Sequence, residues 1–269
     1  MVTSTRGPKR NGAAVEPRPA TVEAAADAAG GAGSASTLAQ VAADHIRGAI
    51  LSGAVAPGSK LHIQRLSTQF GLSATPIREG LTRLTSTGLV EALGQRGFRV
   101  QPISWKDLVD IQRMRHLVET EALRLAIEKG DLGWEQNIVG ALHRLKALSF
   151  GSHEALPEGE PLFDKAHRDF HTALIAACDS PRLLAAHSEL HDQVYRYRIV
   201  LRLVPRRKSV TDRDHAALAR HALARDVEAA VGALHRHIDL TTQFLQQLPE
   251  EAMAAAFMQR SLTVAAAAD

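Results

Sequence analysis

Residues 61–100 read LHIQRLSTQFGLSATPIREGLTRLTSTGLVEALGQRGFRV, and the fold of the chain is decided there. Ile63, Leu66 and Phe70 recur at i, i+3, i+7, one face of a helix. Gly71 stands where a helix end needs a left-handed residue, and Leu72 closes the turn apolarly. Ser73 or Thr75 can cap a second helix, with Pro76 suited to its first position. Ile77, Leu81, Leu84 and Leu89 supply that helix's buried stripe, and Gly88 ends it. Two short strands follow, Val90–Leu93 and Phe98–Gln101, joined by the glycine-flanked tip Gly94-Gln95-Arg96-Gly97.

Helix, tight turn, helix and ribbon in this order form a winged helix-turn-helix, whose second helix suits the major groove of DNA. Arg78, Arg83, Thr75 and Thr82 are left toward solvent or phosphate, and Arg96 sits at the tip of the wing. Arg65 and Ser73 complete the candidate DNA contacts. Taken singly, each of these is an ordinary solvated side chain. Charge argues for the set: residues 37–102 hold seven Lys/Arg (Arg47, Lys60, Arg65, Arg78, Arg83, Arg96, Arg99) against Asp44, Glu79 and Glu91. Residues 103–269 hold 21 basic and 23 acidic residues. The positive charge is concentrated where counterion release from DNA would use it.

The 269 residues have room for a large core, with 45% hydrophobic residues and a mean hydropathy of −0.11. No stretch approaches the roughly 18 apolar residues of a membrane span. Residues 1–36 are rich in Ala, Gly and Pro and read as a disordered arm, more an inert tail than a DNA contact. They lack the continuous apolar core of a secretion signal. One cysteine, Cys178, cannot form an internal disulfide, which suits a reduced cytoplasm, and it reads as a buried structural thiol.

Beyond Pro102 the period turns helical. Segments 104–130, 131–149, 160–178, 180–204, 209–224 and 226–248 each repeat apolar residues at i, i+3, i+4, i+7. The expected architecture is mainly α: a winged domain over 37–102, an all-helical bundle over 103–248, and an alanine-rich tail over 249–269 that frays. Histidine carries the chemistry of the bundle, with thirteen in the chain. His167 and His171 are spaced to meet one metal ion from one helical face, but His187 and His191 have the same spacing. His215 opens a later helix. Of His235 and His237, two apart, only one can face the core, and spacing does not choose between them.

The segment AADHIRGAILSGAVAPGSKLHIQRLSTQFGLSATPIREGLTRLTSTGLVEALGQRGFRV resembles the GntR family of bacterial transcription regulators, most specifically in PGSKL and TPIREGL. RMRHLVETEAL, HRDFHTALIAACDSPRLL, RYR, DHAALARHALARDVEAAV and HRHIDL resemble the FadR-type helical ligand-binding domain called FCD. The resemblance implies a homodimer on a palindromic operator, responding to a small organic acid in the helical domain. It also implies a divalent metal on His167, His171, His215 and His237, which leaves His187, His191 and His235 as structural residues. Arg115, in RMRHLVE, and Arg198 are the implied clamps for an effector carboxylate. Structural pairing of Arg115 with Glu119, one turn on, is the alternative.

Two departures from the family pattern stand out. His167 replaces the usual Asp, so the site becomes four imidazoles, suited to Zn²⁺ or Ni²⁺ and leaving the ion its full charge. Ala74 replaces the Arg that often opens the recognition helix, removing one base contact. Two rival functions remain at this point: a regulator for which the metal itself is the signal, and a metal-dependent hydrolase fused to a DNA-binding domain.

Overall fold

The computed structural model describes residues 31–150, 160–197, 200, 208–249, 251–252 and 255–256. The N-terminal unit runs α1 (Gly31–Leu51), β1 (Lys60–Leu61), α2 (Ile63–Phe70), α3 (Ala74–Ser86), β2 (Val90–Ala92) and β3 (Phe98–Val100). Ile77, Leu81, Leu84 and Leu89 are all buried, and they pack on Ala42, Ala43, Ile46 and Ile50 of α1. Gly71 ends α2 at φ 65°, a backbone conformation that would strain a side chain, and its N–H bonds the Ser67 carbonyl.

The sheet is antiparallel in the order β1-β3-β2, with Leu61 opposite Phe98 and Val90 opposite Val100. Strand β1 was not anticipated, because two residues carry no period. Three further expectations need correction. Helix α3 starts at Ala74, so Pro76 is its third residue, buried against the core. Ser73 holds the cap position but its side chain makes no cap hydrogen bond. Helix α1 already covers 31–36, inside the expected arm; the rest of that arm lies outside the described residues.

Helices α1 and α3 approach closely at Gly80. A Cβ there would stand 2.8 Å from the Ala43 nitrogen and 3.1 Å from the Ala39 carbonyl oxygen. Backbone cannot yield as a flexible side chain does. Gly80→Val is therefore expected to cost about 1–3 kcal/mol through overpacking, read as a lower urea midpoint with unchanged slope.

The second unit contains α4 (Trp105–Lys129), α5 (Leu132–Phe150), α6 (Glu160–Ile175), α7 (Pro181–Tyr195), α8 (Lys208–Leu223) and α9 (Val227–Leu245). Leu123, Ile127, Trp134, Ile138, Phe170, Leu174, Leu218 and Ile238 form its core. The sequence ran a helix on through 178, but α6 stops at Ile175 and a 3-10 turn carries the chain to buried Cys178. Asp179 then adopts a left-handed φ of 55°, and Ser180 caps α7 by accepting from the Leu183 N–H. The helix expected over 180–204 instead ends at Tyr195, with Arg196 and Tyr197 in a turn; residues 201–204 lie outside the described residues. So does most of the tail, although Ala256 is buried against the group containing Leu108 and Tyr197 rather than frayed. Among the described residues no helix is long and apolar enough to cross a membrane.

Candidate nucleic-acid interface and four-histidine site

The apolar stripe of α3 faces α1, so its opposite face is presented outward. Thr75, Arg78, Thr82 and Arg83 are exposed on it, with Arg65, Ser73 and Arg96 exposed nearby. Thr82 turns its hydroxyl back to the Arg78 carbonyl at 2.9 Å. The seven basic residues are not equivalent. Arg99 pairs with its cross-strand neighbour Glu91 at 2.7 Å. Arg83 donates to Gln40 of α1 at 3.1 Å. Arg47 leaves the interface for the helical unit, where Asp192 binds it. Among the described residues no ion pair ties down Lys60, Arg65, Arg78 or Arg96, and of these Arg65, Arg78 and Arg96 belong to the two-helix motif and the wing tip.

His167 and His171 of α6, His215 of α8 and His237 of α9 converge, with one ring nitrogen from each within 4.8 Å of the others. The Nε2 atoms of His167 and His171 stand 3.3 Å apart. Zinc–imidazole bonds of about 2.0 Å would set ligating nitrogens about 3.3 Å apart, the separation of the His167 and His171 pair. His171, His215 and His237 are buried and His167 is half-buried. Burial pushes the His171 pKa well below its usual value, and neighbouring His237, His215, His191 and Arg115 push it the same way. Neutral imidazole is the form that ligates.

The ambiguities of spacing resolve by direction. His237 turns into the cluster, whereas His235 bonds Thr120 at 2.7 Å and meets His116 edge-on at 4.5 Å. On α7, His191 adjoins the cluster with its ring centre 6.0 Å from that of His167. His187 Nδ1 faces Glu119 at 3.4 Å.

Arg115 is buried within the helical unit. Its Nε donates to Glu119 at 2.7 Å, Nη2 to the second carboxylate oxygen at 3.3 Å, and Nη1 to Gln112 at 3.1 Å. The pairing with Glu119 left open by the sequence is thus the one present. Burial alone would raise the Glu119 carboxyl; the Arg115 charge and the His187 hydrogen bond outweigh it and hold the group well below the usual carboxylate range. Arg198 lies outside the described residues. Two further residues matter here: Glu119, 2% exposed, and Arg196, which is 1% exposed and donates to the Gln101 carbonyl at 2.8 Å. The quoted motifs contain both, but nothing local in the sequence shows their burial.

A winged helix with an outward basic recognition helix, joined to a helical bundle with a buried polar centre, has the architecture of a DNA-binding transcriptional regulator. Comparison with known proteins gives the family. Residues 38–100 match the model described as bacterial regulatory proteins, gntR family, and residues 110–240 match the FCD domain. The chain is 35% identical over 214 residues to the uncharacterized HTH-type transcriptional regulator BphR of Paraburkholderia xenovorans, covering 78% of this chain and 86% of that one. It is 32% identical to the HTH-type transcriptional repressor GlaR of Escherichia coli, covering 74% and 91%. The E. coli McbR/YncC structure shares the fold at a TM-score of 0.67 and 22% identity, covering 78% of this chain and 97% of that one.

The protein belongs to the GntR family and carries an FCD domain. It is a transcriptional regulator, as these relatives are named, and not an enzyme; the hydrolase alternative is set aside.

Proposed function

We propose that this regulator grips a two-fold operator as a homodimer in the cytoplasm, through α3 and the wing. In this reading His167, His171, His215 and His237 hold Zn²⁺ or Ni²⁺, and a small organic acid entering the helical domain alters the grip. The convergence of four imidazoles from three separate helices on one point carries the reading. The ion, when bound, supplies a positive charge that attracts an anion. The Nε2 of His187, buried with no hydrogen-bond partner among the described residues, supports a polar ligand beside it. Arg115 then acts through Glu119 and Gln112, with three of its N–H groups already engaged. Arg198 remains the second candidate for the acid.

An effector shifts operator affinity only by binding two arrangements unequally, with coupling of about 1–3 kcal/mol. Helix α4 offers a route, because it leaves the wing directly and carries Arg115 and Glu119.

One observation favours a second reading, in which the metal is itself the signal. Four histidine nitrogens that all ligated one tetrahedral ion would leave no position for an acid. Titrating fluorescent DNA from the region flanking the protein's own gene separates the two. Affinity that follows Zn²⁺ alone supports metal sensing; affinity that changes only when a small carboxylic acid is added supports the acid reading.

In the same assay, Arg78→Ala is expected to weaken binding by about 1–3 kcal/mol. Arg83→Ala should cost less, because in the free protein that guanidinium reaches back to Gln40. Equal losses would contradict the assignment of Arg78 as the leading contact.

A further inference from the structure

The end of helix α7 and the residue that follows it enter the winged unit at three points. Asp192 accepts from both Nε and Nη2 of Arg47 on α1, the latter at 2.7 Å. Gln193 donates to the Thr87 carbonyl, just past α3, at 2.9 Å. Arg196 donates to the Gln101 carbonyl, just past β3, at 2.8 Å. The last two are single bonds to backbone oxygens, which tolerate tilt. The first is a two-pronged guanidinium–carboxylate fork, which fixes direction as well as distance.

The carboxylate of the fork is also shielded. The Asp192 side chain is only 7% exposed, and a second guanidinium, that of Arg168 on α6, binds the same carboxylate. A buried carboxylate between two guanidinium groups from different units makes a defined junction, whereas interfaces between domains of one chain move by default. The Asp192 hydrogen bond raises the Arg47 pKa, with burial opposing it, so the arginine stays charged at the seam.

We propose that Arg47 and Asp192 are positioning residues for operator binding. Their pairing holds the winged unit at one orientation on the helical unit and thereby sets the separation of the two reading heads on DNA. The second clause rests on the paired-subunit reading above. The first stands on the contacts alone.

In Arg47→Ala, Arg168 still neutralises Asp192, so the buried carboxylate is not left alone and each unit keeps its fold. The test uses the full chain with nitroxide labels at Gln95→Cys on the wing and Ser188→Cys on α7, both exposed positions. Buried Cys178 stays unlabelled. With labelled chains diluted in excess unlabelled protein, pulsed dipolar spectroscopy is expected to give one narrow distance without Arg47→Ala, and a distribution about twofold broader with it. Arg168→Ala, which spares the fork, should keep the narrow distance. An unchanged width in Arg47→Ala overturns the proposal, as does equal broadening in both variants.

A second readout uses operator DNA selected by the protein, with the half-site spacing altered by one base pair. Binding by the unaltered protein should fall about tenfold, and Arg47→Ala should lose most of that discrimination. Indifference to spacing by the unaltered protein would contradict paired subunits while the label distances still decide the role of Arg47. Discrimination retained in full by Arg47→Ala would contradict the positioning role.

Discussion

Replacing Arg115 with Ala is expected to lower the unfolding free energy by about 3–5 kcal/mol, measured by urea denaturation, because it strands a buried carboxylate. The side chains of Arg115 and Glu119 are 5% and 2% exposed, and their two-pronged contact runs along one turn of α4. Without the guanidinium, Glu119 keeps only the His187 ring at 3.4 Å. Burial then favours the protonated acid and its pKa rises.

The pH dependence follows in sign. A folded-state pKa below the unfolded one gives stability that is fully present above the unfolded carboxylate range, about pH 4.3, and is lost as pH falls toward the depressed folded value. Arg115→Ala should flatten this acid limb, and Glu119→Gln should remove it. Replacing both partners with apolar residues of similar volume should be far less costly than either single change. A loss below about 1 kcal/mol for Arg115→Ala, the range of an exposed pair, would contradict a structural role.

The second large effect concerns the histidines. Zn²⁺ added to metal-stripped protein is expected to stabilise it by about 4 kcal/mol when the free ion is a thousandfold above Kd, a rise of roughly 10 °C in Tm. The four donors that would meet the ion are brought together only in the folded state. His171→Ala should abolish most of the rise. His235→Ala should preserve it, since that ring faces Thr120 and His116. Equal losses in the two variants would show that the ion binds elsewhere, and no rise in the unaltered protein would remove the metal from the account.

These two sites show what local sequence can and cannot carry. The winged unit was legible because its signals are short-range: period 3.6 at Ile77, Leu81 and Leu84, glycine at Gly71 and around the wing tip. Strand β1 was not, since two residues pair only through β3, nearly forty positions away. The histidine cluster was only half legible. Spacing treated His167/His171 and His187/His191 alike and could not separate His235 from His237, because which helical face meets the other helices is a tertiary fact. Family resemblance singled out the four residues that the fold brings together.

Charge counting could not show which cations have partners: Asp192 binds Arg47 and Glu91 binds Arg99 in the folded chain. Asp192 lies 145 residues from Arg47, beyond the reach of any local pattern.

Two copies of an α3-and-wing head, led by Arg78, Arg65 and Arg96, are the centre of the account. Footprinting of the purified protein on the DNA flanking its own gene tests it most directly. The account predicts two protected half-sites centred about one helical turn apart, with protection fading steeply as salt rises. Uniform coverage of every fragment, or a footprint unaltered by Arg78→Ala, would contradict it.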